Sequence, residues 1–259
     1  MSALITSHTQ DGITTITLNR ADKFNSFNRP MADAFNEALQ AASADSTVRC
    51  VVITGNGKAF CAGQDLQEAI DPNGPGLKKI IEEGYNPSIL HITRMEKPVI
   101  AAVNGVAAGA GANIALACDF IVAKYSATFI QAFSKIGLIP DSGGTYFLPR
   151  LVGYQRAIAQ MMLGDKVTAQ EAEQMGMIYK AVADEDFENA VSALATRLSS
   201  MPTKGLALTK KALQQSMTAD LPQQLKNELD GQLEAGATAD HHEGVQAFLE
   251  KRQPIFTGK

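Results

Sequence analysis

Pro98-Val99-Ile100-Ala101-Ala102-Val103-Asn104-Gly105-Val106-Ala107-Ala108-Gly109-Ala110-Gly111 is the stretch on which the reading of the chain turns. Val99 to Val103 is a continuous apolar run, as expected of a strand buried on both faces rather than one that alternates between core and water. The glycine-rich segment behind it follows that strand and opens a helix. Two more continuous runs, Cys50-Val51-Val52-Ile53 and Phe120-Ile121-Val122, are of the same type, while Ile16 and Leu18 alternate with Thr15 and Thr17. Between the strands, Met31, Ala34, Phe35, Ala38, Leu39 and Ala42 recur at helical spacing, with Asn28 placed as N-cap and Pro30 in the first turn. Strands alternating with helices make this an α/β fold.

Further on, Thr168-Ala169-Gln170-Glu171 reads as a capping box, Gly176 as the terminator of that helix, and Met177 to Val182 as a strand. After about Asp184 strand signals vanish and amphipathic helices follow, one carrying Leu225, Leu229 and Leu233 on a single stripe. The division expected is a core over residues 1–190 and a helical C-terminal region over 191–259. That region either covers the core or packs between subunits.

The chain of 259 residues is long enough to bury a sizeable core. Its formal net charge of -4 and the lack of a dense Lys/Arg block argue against nucleic acid as a partner. No secretory leader and no run of about 18 apolar residues is present, which predicts a cytoplasmic, non-membrane protein. Cys50, Cys61 and Cys118 are far apart, so small buried side chains are expected rather than disulfides or a metal knuckle. His241-His242-Glu243 lacks metalloenzyme spacing and is assigned to solvent.

Two glycine-rich segments invite a nucleotide reading, and both fail in detail. Thr54-Gly55-Asn56-Gly57-Lys58-Ala59 has Val52 where a P-loop needs its first glycine and Ala59 where it needs Ser or Thr. Gly105 to Gly111 is spaced GxxxGxG rather than GxGxxG, and the stretch about twenty residues on carries no acidic ribose ligand. A nucleotide-binding reductase therefore survives only as a distant alternative. What the second segment does offer is a helix start with small residues, where free N–H groups favour an anion.

Leu18-Asn19-Arg20 with Lys23-Phe24-Asn25, Phe60-Cys61-Ala62-Gly63-Gln64-Asp65-Leu66, Pro98 to Gly105, and Ile139-Pro140-Asp141-Ser142-Gly143-Gly144-Thr145 together make the chain similar to the crotonase (enoyl-CoA hydratase/isomerase) superfamily along nearly its full length. The resemblance implies a spiral of ββα units, a C-terminal helical trimerisation region, and a homotrimer or a homohexamer built as a dimer of trimers. It also implies an acyl-CoA thioester substrate, with coenzyme A entering as part of the substrate and no separate cofactor or metal. By position, the backbone N–H groups of Gln64 and Ala110 would form the oxyanion hole, so the side chains there would matter little. Lys23, Ala62, Asp65, Leu66, Gly111 and Phe133 would line the CoA and acyl site.

The positions at which hydratases of the family carry two glutamates hold Asn113 and Phe133, neither of which is a general base near neutral pH. Asp141 is the remaining carboxylate, in a motif where isomerase members place theirs. The resemblance thus implies an isomerase using Asp141 for proton transfer, on ring-epoxidised phenylacetyl-CoA to give an oxepin, on a Δ3 double bond to give Δ2, or both. Phe129, Phe133 and Ile139 are candidates for an apolar pocket raising the Asp141 pKa. Other readings stand beside this one: Asp141 as an ordinary helix N-cap, a fatty-acid β-oxidation hydratase, and a catalytically silent CoA-binding or RNA-binding protein.

Overall fold

The computed structural model describes residues 3–259. Its strands are β1 (Ile5–Gln10), β2 (Ile13–Leu18), β3 (Cys50–Gly55), β4 (Ala59–Cys61), β5 (Val99–Val103), β6 (Val106–Ala108), β7 (Phe120–Lys124), β8 (Thr128–Ile130), β9 (Lys166–Thr168) and β10 (Lys180–Val182). They divide into a six-stranded sheet, ordered β1-β2-β3-β5-β7-β10, and a four-stranded sheet, ordered β4-β6-β8-β9. From β3 to β8 consecutive strands go to different sheets: β3 joins the large one and β4 the small one, then β5 and β6, then β7 and β8. A helical segment after each pair carries the chain to the next, so neighbours within each sheet run parallel along these pairs. This is a spiral of ββα units.

The continuous apolar runs have a direct cause. Val51, Ile53, Val99, Ala101 and Val103 face one core cluster, shared with Met31, Phe35 and Leu39 of helix α1 (Arg29–Ala44). Cys50, Val52, Ile100, Ala102 and Val122 point the other way, into a second cluster. With hydrophobic layers on both faces, alternation disappears from the sequence.

Asn28 Oδ1 accepts the Met31 N–H at 3.2 Å and caps α1. At its other end the buried Lys97 ammonium donates to the carbonyls of Ala42 (2.7 Å), Ser43 (3.0 Å) and Asp45 (2.6 Å). A cation there satisfies orphan C=O groups and opposes the helix dipole. Lys97→Met keeps the apolar stem and removes the donors; a loss of about 1–3 kcal/mol in urea unfolding is expected.

The remaining helices are α2 (Leu66–Ile70), α3 (Gly76–Lys79), α4 (Asn86–Arg94), α5 (Ala110–Leu116), α6 (Gly144–Val152), α7 (Tyr154–Leu163), α8 (Ala169–Gln174), α9 (Phe187–Ser199), α10 (Thr203–Ser216), α11 (Leu221–Gly236) and α12 (Ala239–Glu250). A π-helical turn, Ile80–Tyr85, joins α3 to α4. The capping box on Thr168 and Glu171 forms, and Gly176 takes a φ of +77° beyond α8. The strand expected from Met177 is shorter than its apolar run: the N–H groups of Met177 and Ile178 both turn back to the Ala172 carbonyl, so only Lys180 to Val182 join the ladder. Helix α11 buries none of its residues against its own chain, leaving Leu225, Leu229 and Leu233 exposed. Earlier in the same C-terminal region α9 does cover the core, placing Val191, Ala195 and Leu198 in the second cluster. Among the described residues no helix is long and apolar enough to cross a membrane, and all three cysteines are free and buried.

Candidate active site

Three segments of the spiral meet where β4 and β6 end. The first is the turn after β4, where Gly63 has a φ of +90° and a β-carbon would stand 2.9 Å from the Ala108 carbonyl and 3.5 Å from the Ala110 nitrogen. Only glycine lets these backbones approach so closely in that conformation. Phe27 pins the turn on both sides of Gln64: its N–H donates to the Gly63 carbonyl at 2.7 Å, and its carbonyl accepts the Asp65 N–H at 2.8 Å. The Gln64 N–H is left with no protein acceptor among the described residues.

The second segment is the start of α5. Gly109 precedes it at a φ of +53°, and the Ala110 N–H likewise has no acceptor among the described residues. Gly111 lets α5 lie directly on β4; a β-carbon there would fall within 2.7 Å of the Cys61 sulfur. Gly111 is thus a packing residue as well as a candidate in the site. The turn after β4 and the start of α5 thus lie against each other, each with one backbone N–H that has no acceptor among the described residues.

The third segment brings the carboxylate. Asp141 is half-buried before α6, and the cap reading does not hold: Gly143 occupies the N-cap position at a φ of +73°, and Asp141 makes no side-chain cap bond. Its Oδ1 accepts the Ser142 hydroxyl at 2.9 Å, and Ser142 is itself held in the left-handed region at φ +50°. Burial pushes the Asp141 pKa above the usual carboxylate value, against a smaller opposing effect from the Ser142 hydroxyl.

Asn113 and Phe133 are both in place and both buried, and each has a clear physical role. The fully buried Asn113 amide donates from Nδ2 to the Asp141 backbone carbonyl at 2.8 Å and accepts from Gln131 Nε2 at 2.8 Å. It braces the loop that carries the carboxylate. Gly144 makes room for it, since a β-carbon there would come within 2.4 Å of the amide. The Phe133 ring covers the start of α5, 3.8 Å from where a Gly109 β-carbon would be. Phe129 is buried within the main core cluster, whereas Ile139 is 82% exposed and supplies no apolar cover.

Of the residues expected to line a CoA site, Lys23, Ala62 and Leu66 are exposed along the approach to Gln64. The Asp65 carboxylate is already engaged. It pairs with Arg20 at 2.7 Å and caps α2 through the Gln67 N–H at 3.0 Å. Sequence reading also missed Tyr85, whose hydroxyl donates to Gln64 Oε1 at 2.8 Å, and Gln131 behind Asn113. No local spacing signals either contact. A separate open cleft of about 800 Å³ between the large sheet and α9, walled by Thr54, Asn104, Lys124 and Ser192, shares none of these residues. His241 and His242 are exposed, and no metal-binding cluster occurs among the described residues.

Comparison with known proteins places this arrangement in context. A family model described as enoyl-CoA hydratase/isomerase matches residues 8–259. The chain is 47% identical over 262 residues, covering 100% of both sequences, to a protein of Escherichia coli (strain K12) named 1,2-epoxyphenylacetyl-CoA isomerase. It is 37% identical, covering 96% of both, to trans-2-decenoyl-[acyl-carrier-protein] isomerase of Streptococcus mutans. A crystal structure of an enoyl-CoA hydratase from Bacillus anthracis superposes with a TM-score of 0.92 at 31% identity, covering 99% of this chain and 100% of that one.

Proposed function

Because the chain belongs to the enoyl-CoA hydratase/isomerase (crotonase) family, we propose that it is an acyl-CoA thioester isomerase in which the N–H groups of Gln64 and Ala110 hold the thioester oxygen and Asp141 moves the proton. The observation that carries this reading is the replacement of both hydratase glutamates by residues that cannot activate water, Asn113 and Phe133, beside the half-buried Asp141 carboxylate. On a 3-enoyl-CoA, the C2–H electron pair moves into the thioester as an enolate while Asp141 takes the proton. The enolate oxygen rests on the two amides. The electrons then return through the conjugated system, C4 takes the proton back, and the double bond lies between C2 and C3. Substrate and product have the same atoms, so neither water nor a redox cofactor enters.

Ring-epoxidised phenylacetyl-CoA is the acyl class we assign, converted to an oxepin. Its support is the full-length similarity to the Escherichia coli isomerase together with the Phe133 ring over the start of α5. Lys23, Ala62, Asp65, Leu66 and Gly111 are assigned to the CoA approach in the same reading, Asp65 by keeping Arg20 and α2 in place. Assembly as a trimer or hexamer belongs to it too, supported by the uncovered leucine stripe of α11.

The test uses a 3-enoyl-CoA and a trans-2-enoyl-CoA side by side. Isomerisation of the first is expected to exceed hydration of the second by orders of magnitude; comparable hydration would sink the isomerase reading. With deuterium at C2, a single carboxylate should deliver part of the label to C4. The acid limb of kcat/KM is expected above the ordinary aspartate range, because Asp141 must be ionised to act and burial holds its pKa up.

A further inference from the structure

We propose that Tyr85 is a positioning residue of this enzyme: with Glu68 it clamps the Gln64 side chain and so fixes the direction of the Gln64 backbone N–H. The inference rests on the reading of that N–H as an oxyanion donor. The hydroxyl of Tyr85 donates to Gln64 Oε1 at 2.8 Å, and Gln64 Nε2 donates to Glu68 Oε2 at 2.9 Å. Glu68 is anchored in turn, its carboxylate accepting the Arg29 N–H at 2.9 and 3.1 Å at the start of α1. Both ends of the Gln64 amide are therefore tied to different elements, so the side chain at this position, expected from the resemblance to matter little, is engaged, while Phe27 holds the backbone on either side of it.

Tyr85 is itself well fixed. The ring is 1% exposed, stands 5.9 Å from the Phe27 ring, and closes the π-helical turn Ile80–Tyr85. Such turns, one residue wider than an α-helical turn, are found disproportionately at functional sites. Burial, with Cys61, Asp141 and Glu68 nearby, pushes its phenol well above the ordinary tyrosine value, so it remains a neutral donor at working pH. A glutamine with both amide ends bonded to anchored partners has little rotational freedom, and a donor must be held within a narrow angle to stabilise charge at the moment it forms.

Tyr85→Phe deletes one oxygen and keeps the ring packing against Phe27. It is expected to lower kcat roughly tenfold on a 3-enoyl-CoA with KM little changed, since the lost interaction matters in the transition state rather than in CoA binding. Acetoacetyl-CoA, whose enolate resembles the intermediate, should bind more weakly by a similar factor, while coenzyme A alone binds as before. In a Gln64→Ala background, Tyr85→Phe should add no further loss, because its effect passes through Gln64. Multiplying losses in the double variant, an unchanged kcat in Tyr85→Phe, or equal weakening of coenzyme A and acetoacetyl-CoA would each overturn the proposal. If the wild type binds acetoacetyl-CoA no more tightly than coenzyme A, the oxyanion reading fails, and the clamp with it; the other outcomes strike the clamp alone.

Discussion

Asp141→Asn is expected to cut isomerisation of a 3-enoyl-CoA on the order of a thousandfold, within the range for loss of a positioned general base, while affinity for coenzyme A stays close to that of the wild type. The amide is nearly the shape of the carboxylate and can still meet the Ser142 hydroxyl that bonds Oδ1. The Asn113 bond goes to the Asp141 backbone carbonyl, so the loop brace survives the substitution. What disappears is the ability to take a proton.

The same variant makes a second, independent statement through stability. Burial raises the folded-state pKa of Asp141, so the folded chain binds the proton more tightly than the unfolded chain. Stability should therefore fall as pH rises from the ordinary carboxylate value through the raised one, and the cost persists at neutral pH. Asp141→Asn carries no charge to bury, so its melting temperature near neutral pH is expected to equal or exceed the wild type's. A dead enzyme that is no less stable separates chemistry from folding. Undiminished turnover would remove Asp141 from the mechanism.

Gly63→Ala is expected to have the next largest effect on turnover. Its β-carbon would stand 2.9 Å from the Ala108 carbonyl, in a backbone conformation at φ +90° that an L side chain rarely adopts. The turn must yield, and it carries Gln64 with it. Because the same contact lies 3.5 Å from the Ala110 nitrogen, both amides lose their relative placement. Loss of one oxyanion donor typically costs about a hundredfold to a thousandfold in kcat, and a value in that range with a smaller change in KM is expected in steady-state assays. A variant that retained wild-type kcat would show that the donor pair is not formed at this turn.

Much of the architecture was legible because the hydrophobic pattern is a local record of burial. Val99 to Val103 reads as a two-sided strand, Met31 to Ala42 as a one-sided helix, and Thr168 with Glu171 as a helix start, each from side chains a few residues apart. The strands β6, β8 and β9 are not legible in the sequence because each is only three residues long, too short for periodicity to accumulate. The strand expected from Met177 starts only at Lys180 for a different reason: an apolar run reports burial, and Met177 and Ile178 are buried, yet their backbone bonds belong to the end of α8.

The sequence by itself determined the chemical types available: glycines at 63 and 109 to free two amides, one aspartate at 141, and no glutamate at 113 or 133 to activate water. Only the tertiary structure decided what those residues do to one another. That Gly143 rather than Asp141 caps α6 is a matter of backbone conformation; that Asn113 holds the Asp141 loop and that Tyr85 reaches Gln64 are contacts between residues 28 and 21 positions apart. Such contacts depend on where strands and helices pack, and packing distances leave no periodic trace in the chain.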